Sequence, residues 1–342
     1  MVHRHAEIAS DYGLTIIAMD DLTIERQGEP GHFTFRSGPG RRKVSRRRIA
    51  ELEALVLPPA WREVRCAPHA DDHLQAVGRD DKGRLQYRYH DEWSRVRDAV
   101  KAERLIRFGR VLPDIRRRID SDLDDTDRPK RVMKAAAAAL LDRKFIRIGG
   151  EEYAKQGTSG ATTLQSKHVK PARSHTRIAF RGKSGKRVNL AVRGKRLRKH
   201  LDRFRKSGGS RLFAERRRGQ SWRLTASVLN DYLNKGLRKR ISAKDFRTFA
   251  ASSLALENFC RFEADNQDAS TTGRKKAVVK TMKRVAKALR NTPAVARSSY
   301  VHPALVEAFE EGTLDPKLIR GRARDGLSNA ETGLMRFMEG VS

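Results

Sequence analysis

The chain has little cysteine and no long apolar run. Its two cysteines, Cys66 and Cys260, lie far apart, so they form neither a metal-ligand pair nor a disulfide framework. The absence of a disulfide framework predicts that the protein works in a reducing cytoplasm. No apolar run follows the charged N-terminus, and no segment approaches the ~18 to 20 apolar residues of a membrane-spanning helix. We therefore expect a soluble intracellular protein with no membrane partner.

Acidic residues are scarce relative to basic ones. Against 74 Lys+Arg there are 41 Asp+Glu, which leaves a formal charge of +33 on 342 residues. Because such a charge opposes compaction, it predicts a polyanionic partner, and a nucleic acid is favoured over a ribosome-associated or merely solubilised protein. The basic runs are spread along the chain, which indicates a protein that encloses its polyanion. They lie at residues 41–43, 46–48, 116–118, 195–199, 216–218 and 238–240.

The sequence also lacks the usual motifs for metals and nucleotides. No cluster of acidic residues or of Cys and His has metal-ligand spacing. Gly182-Lys183-Ser184 resembles the end of a phosphate loop, but the preceding glycine spacing is missing. We therefore expect no cofactor, no metal and no bound nucleotide.

Residues 1–92 are predicted to form a small β-rich domain with one or two helices. The clearest element is a hairpin, in which a polar turn at residues 80–83 joins two alternating runs at residues 73–78 and 84–90. Alternation alone favours a buried face for the tyrosines of the second strand, although interleaved basic and aromatic groups can also grip a DNA groove. One face of that strand carries Arg84, Gln86, Arg88 and His90, and the opposite face carries Leu85, Tyr87 and Tyr89.

Residues 93–310 are predicted to form a larger, mainly helical domain with a small antiparallel sheet. Apolar residues from Val96 to Ile119 recur at helical spacing, broken by Pro113, and an acidic loop is expected at residues 120–127. A second helix runs from Pro129 through five alanines to Phe145. Strands are expected within residues 162–192 and a polar loop at residues 266–274, while residues 311–342 are assigned to a C-terminal tail. The predicted fold class is α+β.

Five residues of this second domain are placed for phosphoryl transfer. Arg147 follows a helix, Lys183 sits in a β-turn, and Arg247 lies at the start of a helix beyond a capping-box pattern. Near the C-terminus, Thr292-Pro293 is a helix-start signal between Asn291 and Tyr300. A tyrosine hydroxyl can attack a phosphodiester, arginines can bind its non-bridging oxygens, and a lysine can protonate the leaving oxygen.

These residues stand in short motifs that together resemble the type IB DNA topoisomerases, in the compact branch of poxviruses and bacteria. The resemblance covers roughly residues 55–310. Its motifs are Leu57-Pro58-Pro59-Ala60-Trp61, His73-Leu74-Gln75-Ala76, Gly78-Arg79-Asp80, residues 83–90, Ile146-Arg147-Ile148-Gly149, Gly182-Lys183-Ser184-Gly185, Lys244-Asp245-Phe246-Arg247-Thr248, Asn291-Thr292-Pro293 and Ser299-Tyr300-Val301.

The resemblance implies a C-shaped clamp around duplex DNA that relaxes positive and negative supercoils without ATP or a metal. It makes Tyr300 the nucleophile of a 3′-phosphotyrosyl intermediate, Arg147 and Arg247 the arginines that hold the phosphate, and Lys183 the general acid. It also implies that the hairpin strand contacts DNA, which reverses the burial that alternation favours for its tyrosines. The DNA-contacting residues would be Arg84, Gln86, Tyr87, Tyr89 and Lys244.

The sequence departs from this family in two places. Asn291 stands where the family often has histidine, and an amide can donate a hydrogen bond to phosphate but carries no charge. The first 50 residues match the family pattern poorly. We expect a monomer in the bacterial cytoplasm, associated with the nucleoid.

Two alternatives remain. A tyrosine recombinase uses a similar Arg/Lys/Arg/Tyr set, but its second arginine usually follows a histidine by three residues, where this chain has Lys244, and its N-terminal domain is helical. A catalytically inactive basic DNA-binding protein would be expected to have lost at least one of Arg147, Lys183, Arg247 and Tyr300.

Overall fold

The computed structural model describes residues 2–38, 43–125, 127–207, 209–217, 220–266 and 269–341. The chain divides into two compact units, Met1–Lys101 and Ala102–Ser342. Of the basic runs seen in the sequence, Arg41, Arg42 and Arg218 lie outside the described residues. No helix in the described ranges is long and apolar enough to cross a membrane.

The N-terminal unit is built on a five-stranded antiparallel sheet with strand order β2-β1-β3-β4-β5. Its inner face packs against α2, which begins as predicted where the Ser45 side chain accepts a hydrogen bond from the Arg48 N–H at 3.1 Å. The elements are α1 (Val2–Asp11), β1 (Ile24–Gln27), β2 (Thr34–Ser37), α2 (Arg46–Ala54), β3 (Arg62–Cys66), β4 (Leu74–Arg79) and β5 (Leu85–Tyr89).

The predicted hairpin is confirmed as β4 and β5, with β5 at the edge of the sheet. Its turn is closed by Asp80, whose backbone N–H donates to the carbonyl of Arg84 at 3.0 Å and whose carboxylate accepts from the N–H groups of Lys82 and Arg84. Gly83 takes a left-handed conformation at φ 72°, which explains the glycine in this turn.

Two predictions about the next helix are wrong. Helix α3 (Trp93–Asp124) runs without interruption through Pro113 and includes residues 120–124, which were predicted to form a loop. Proline deletes one hydrogen bond from a helix interior, but the apolar stripe on either side, which includes Phe108 and Ile115, is fully buried. Asp122 is also buried, and its carboxylate accepts a hydrogen bond from the Tyr232 hydroxyl at 2.8 Å, so this acidic residue has a partner within the fold.

The C-terminal unit is mainly helical and carries a three-stranded antiparallel sheet (β6-β7-β8) and a separate two-stranded hairpin. This arrangement confirms the α+β class. Its elements after α3 are α4 (Pro129–Lys144), α5 (Glu151–Lys155), β6 (Val169–Pro171), β7 (Thr176–Arg181), β8 (Arg187–Val192), α6 (Lys195–Lys206), β9 (Ala214–Arg217), β10 (Gln220–Arg223), α7 (Ala226–Asn234), α8 (Ala243–Asp265), α9 (Thr271–Leu289), α10 (Pro293–Ser299), α11 (Pro303–Glu310) and α12 (Asn329–Gly340).

The structure differs from the sequence reading of this unit in three local elements. Thr163 ends a 3-10 turn rather than starting a strand, and the hairpin β9-β10 was not foreseen. Helix α9 begins at Thr271, within the segment predicted as a loop, because Ser270 caps it by accepting from the Gly273 N–H at 3.1 Å. Residues 267 and 268 of that predicted loop lie outside the described ranges.

The core of the C-terminal unit is one continuous apolar cluster. The five alanines of α4 are completely buried in it, so neighbouring helices approach α4 closely. Helix α12, which lies in the segment predicted as a C-terminal tail, contributes Met335 and Met338 to the same cluster. Gly109 of α3 permits this packing, since a Cβ there would lie 2.1 Å from the sulfur of Met335.

Candidate active site

Helix α10 places Tyr300 at its C-terminal end, as the sequence predicted. Thr292 caps the helix by accepting from the Val295 N–H at 3.3 Å, and Pro293 is its first residue. The N–H of Tyr300 closes the last turn on the Ala296 carbonyl at 3.2 Å. Its own carbonyl accepts from the Ser252 hydroxyl of α8 at 3.2 Å. The tyrosine backbone is therefore held from two elements, and the side chain is only 4% exposed.

Arg147 reaches the tyrosine from the segment that follows α4. The helix ends at Lys144, and its C-cap residue Phe145 takes a left-handed conformation at φ 53° that turns the chain away. Two residues later, Arg147 donates through Nη1 to the phenolic oxygen of Tyr300 at 3.0 Å and through Nη2 to the Oδ1 atom of Asn291 at 2.8 Å. One guanidinium thus joins the tyrosine and the asparagine.

Arg247 approaches the same oxygen from α8. Its Nε donates to the Tyr300 hydroxyl at 3.4 Å, and its guanidinium carbon lies 5.0 Å from the centre of the tyrosine ring. The remaining donors bind two helix ends, with Nη2 on the carbonyl of Leu289 at 2.8 Å and Nη1 on the carbonyl of Phe145. The side chain is 3% exposed, so these contacts lie in the interior.

The start of α8 is anchored, which fixes the position of Arg247. The Ser242 N–H donates to the carboxylate of Asp245 at 2.7 Å, as the capping-box pattern predicted. Arg104 of α3 binds the same pair, donating to the Ser242 hydroxyl at 2.9 Å and to the Asp245 carboxylate. The buried carboxylate is therefore paired at the first turn of the helix, where its charge also suits the helix dipole.

The charges of the two arginines lower the pKa of Tyr300. Burial alone raises the pKa of this hydroxyl, but the Arg247 guanidinium, through its charge and hydrogen bond, and then Arg147 more than offset that effect. Burial in turn lowers the pKa of Arg247, partly offset by the neighbouring tyrosine oxygen. The arrangement favours the phenolate, which is the nucleophilic form of a tyrosine.

Asn291 lies in the same group with one donor unused. Its N–H binds the Ala286 carbonyl at 2.9 Å, just beyond the end of α9, and its Oδ1 is held by Arg147. The buried Nδ2 atom finds no hydrogen-bond partner among the residues that the structure describes. A buried amide donor of this kind is suited to an oxygen of a bound ligand.

The two predicted lysines lie at exposed positions. Lys183 begins the short 3-10 turn between β7 and β8, where Ser184 has φ 59° and the Gly182 N–H donates to the Lys186 carbonyl at 2.8 Å. Within the described ranges, no hydrogen bond or ion pair links Lys183 to Tyr300 or its arginines. Lys244 lies on the solvent side of the first turn of α8.

The predicted DNA-contacting strand presents Tyr87 at the surface, whereas Tyr89 is half-buried and packs against an apolar cluster that includes Leu74. Tyr87 is 44% exposed and stacks on Tyr89 with ring centres 6.1 Å apart, and Tyr89 stacks on Trp93 at the same distance. Alternation alone had favoured a buried face for Tyr87, and the edge position of β5 explains the difference. On the opposite face, Asp80 holds the polar groups, accepting from Arg84 at 2.8 Å and from Gln86 at 2.9 Å.

Sequence reasoning missed two residues that shape this region. Ser252 fixes the carbonyl of Tyr300, and Arg290 binds the last carbonyl of α4 at 2.8 Å. Neither stands in a motif that could have identified it, although Arg290 directly precedes Asn291.

Comparison with known proteins finds matches over most of the chain. The family model described as "Eukaryotic DNA topoisomerase I, catalytic core" matches residues 90–316, and the one described as "Bacterial DNA topoisomerase IB, N-terminal domain" matches residues 32–80. The chain is 27% identical over 298 residues to DNA topoisomerase 1B of Acanthamoeba polyphaga mimivirus, covering 85% of this chain and 88% of the relative.

Two further relatives come from poxviruses. DNA topoisomerase 1B of Vaccinia virus (strain Copenhagen) is 24% identical over 261 residues, or 76% of this chain and 78% of the relative. DNA topoisomerase 1 of Rabbit fibroma virus (strain Kasza) is 26% identical over 248 residues, which cover 71% of this chain and 73% of the relative. Since the catalytic-core model covers well over half of the chain, the protein belongs to the type IB DNA topoisomerases, a family of isomerases that act on DNA.

Proposed function

We propose that this chain relaxes positive and negative supercoils by cutting and rejoining one DNA strand, with Tyr300 as the nucleophile. The observation that carries the proposal is the pair of guanidiniums, from Arg147 and Arg247, that donate to one buried phenolic oxygen. A structural tyrosine needs a single partner, whereas two cations on one phenol favour its ionised form.

In the cleavage step, the Tyr300 hydroxyl passes its proton to solvent water, and the phenolate oxygen attacks the scissile phosphorus. A bond forms between the phenolic oxygen and phosphorus, and the bond from phosphorus to the 5′-oxygen breaks, leaving a 3′-phosphotyrosyl ester. Negative charge on the non-bridging oxygens is stabilised by Arg147 and Arg247, whose planar forks match phosphate. Asn291 contributes its unused Nδ2 donor to one of these oxygens.

Lys183 acts as the general acid in this scheme. The departing 5′-oxygen needs a proton, and an ammonium group can supply it. The exposed turn between β7 and β8 leaves the Lys183 side chain free to reach a bound strand. Religation reverses each step. Because the ester conserves the energy of the broken bond, the cycle needs neither ATP nor a metal ion.

Duplex DNA is bound by both units. The exposed edge strand of the N-terminal unit supplies stacking and charged groups, and Lys244 lies three residues before Arg247 on α8. The DNA-contacting residues are Arg84, Gln86, Tyr87, Tyr89 and Lys244. We also propose that the enzyme works as a monomer, binds no nucleotide and acts in the cytoplasm on nucleoid DNA. The proposed DNA-contacting domain is residues 1–92, and the proposed catalytic domain begins at residue 93 and includes α12, which packs into the same core.

The experiment that tests this function is plasmid relaxation with a chelator present and ATP absent. Wild-type protein should relax both positively and negatively supercoiled plasmid. The Tyr300→Phe variant, which keeps the ring and loses the hydroxyl, should bind DNA normally and relax neither. Normal relaxation by this variant would refute the assignment, and recombination between two specific sites without simple relaxation would favour a recombinase.

A further inference from the structure

Arg290 ends helix α9 in a conformation that usually belongs to glycine. Its backbone is left-handed, with φ 58° and ψ 45°, at the C-cap of the helix. A side chain at such a position costs conformational energy, and glycine is the residue that commonly avoids this cost. The strained residue directly precedes Asn291 of the active site, so its side chain is expected to have a compensating role.

The Arg290 side chain binds the end of a different helix. Its Nη1 donates at 2.8 Å to the carbonyl of Lys144, the last residue of α4. The next carbonyl along, that of Phe145, accepts from Arg247, and Arg247 also holds the carbonyl of Leu289 just before Arg290. Two guanidiniums therefore tie the ends of α4 and α9 together, immediately before the chain reaches Arg147 and Asn291.

These cations have no acidic counterpart in the described part of the chain. Arg147, Arg247 and Arg290 form hydrogen bonds with carbonyls, an amide and a phenol, but none is in an ion pair with a carboxylate there. Lys144 adds to the positive charge, and its pKa is lowered by burial and by the charges of Arg193 and Arg290. A partly buried group of cations without acids is arranged for an anion that arrives from outside.

We infer that Arg290 is a positioning residue for strand cleavage. Its guanidinium fixes the end of α4, so that Arg147 and Arg247 meet the scissile phosphate in register, and its charge acts on the guanidinium of Arg247. This inference rests on the proposed role of Tyr300. It adds that a residue without a contact to Tyr300 holds the end of α4 in place for the arginines that do contact it.

The test compares single-turnover cleavage of a DNA duplex, DNA affinity and thermal stability for Arg290→Gly and Arg290→Lys. Glycine removes the backbone strain and the guanidinium together. Arg290→Gly should therefore keep or raise the melting temperature and bind DNA as wild type does, yet form the covalent adduct about tenfold more slowly or worse. Arg290→Lys keeps a charge and one donor, and should recover part of the rate.

Two control variants test whether relief of backbone strain, or loss of a positive charge, at a position other than Arg290 also slows cleavage. Val56→Gly relieves a left-handed residue, with φ 48°, at a position that is 82% exposed in the N-terminal unit. Lys287→Gln removes an exposed charge from the last turn of α9. Both should cleave DNA at the wild-type rate.

Three results would overturn the inference about Arg290 without contradicting the proposed role of Tyr300 as the nucleophile. They are wild-type cleavage by Arg290→Gly, an equal loss of rate in Lys287→Gln, and a loss of rate in Arg290→Gly that is matched by a lower melting temperature. Absence of adduct from the wild-type protein would instead contradict the proposed function itself.

Discussion

Arg247 contacts Tyr300 in two ways: its Nε donates to the phenolic oxygen at 3.4 Å, and its guanidinium carbon lies 5.0 Å from the centre of the ring. The same guanidinium binds the carbonyls of Phe145 and Leu289, so it cannot turn away without breaking bonds to two helix ends. The cation is therefore in place before any DNA binds, and preorganised charge of this kind contributes strongly to catalysis.

The first prediction concerns the ionisation of Tyr300. A cation stabilises the phenolate, so the pKa lies below the ordinary value of 10.0, although burial acts in the opposite direction. Arg247→Gln should move the midpoint of the cleavage rate to higher pH, because one of the two cations that offset the effect of burial on the tyrosine pKa is then gone. Absorbance titration of the phenolate, with Tyr300→Phe to identify its signal, gives the same midpoint independently.

Because of the way in which the Tyr300 pKa is linked to folding, this test should measure the cleavage rate rather than the free energy of unfolding. A tyrosine whose pKa is depressed on folding adds stability only above its unfolded pKa, and this contribution disappears as the pH falls through the folded pKa. Near neutral pH the effect on the free energy of unfolding is therefore absent. Equal midpoints for wild type and Arg247→Gln would contradict the electrostatic account.

The second prediction concerns Asn291, whose Oδ1 is held by Arg147 and whose Nδ2 is unused. Asn291→Ala should slow cleavage about tenfold, since a hydrogen bond to a charged group contributes ~1.5 kcal/mol. Asn291→His can carry a charge and should cleave about fivefold faster than wild type. Asn291→Asp should be slowest, because it pairs with Arg147 and repels phosphate.

This ranking of four proteins is measured by single-turnover adduct formation at saturating DNA. If Asn291 only supported the fold, Asn291→His would cleave DNA no faster than wild type. The cleavage rates of Asn291→Ala and Asn291→Asp would then differ only to the extent that their melting temperatures differ.

The third prediction concerns the general acid. Lys183→Ala should cleave ordinary DNA about 100-fold more slowly, because the 5′-oxygen then leaves without a proton. A substrate with sulfur in place of that bridging oxygen has a better leaving group and should be cleaved at nearly the wild-type rate. Lys186→Ala, from the same exposed turn, is the matched control and should behave normally on both substrates. Equal defects of Lys183→Ala on oxygen and sulfur substrates would exclude proton donation.

The fourth prediction separates charge from stacking on β5. Arg84→Ala should weaken DNA binding and reduce the slope of log affinity against log salt by about 0.9, the value expected for one phosphate contact. Tyr87→Ala should weaken binding with an unchanged slope, since stacking releases no counterion. Filter binding over a range of salt concentrations measures both. Identical slopes for Arg84→Ala and wild type would remove Arg84 from the phosphate contacts.

Local signals in the sequence predicted the local structure around the site. Thr292 and Pro293 start α10 and Ser45 starts α2, because a cap depends on only a few neighbouring residues. Pro113 misled the prediction because burial of the surrounding helix outweighs the hydrogen bond that proline deletes. Helix α12 was missed as part of the core because its packing on Gly109 is a contact between distant segments.

The spacing of residues along the sequence could not by itself predict that these distant side chains meet in one site. Arg147 and Tyr300 are separated by 153 positions, and Arg290 reaches across 146 positions to Lys144. The resemblance to a known family brought Arg147, Arg247 and Tyr300 together in advance. It could not indicate Arg290, whose role depends on a backbone conformation and on the end of another helix.

The most direct measurement is mass spectrometry of the protein trapped on a DNA duplex that cannot be religated. The account predicts a single modified peptide, in which Tyr300 carries the 3′-phosphate of the cleaved strand while the other product has a free 5′-hydroxyl. An adduct on any other residue, or a tyrosine linked to a 5′-phosphate, would contradict it.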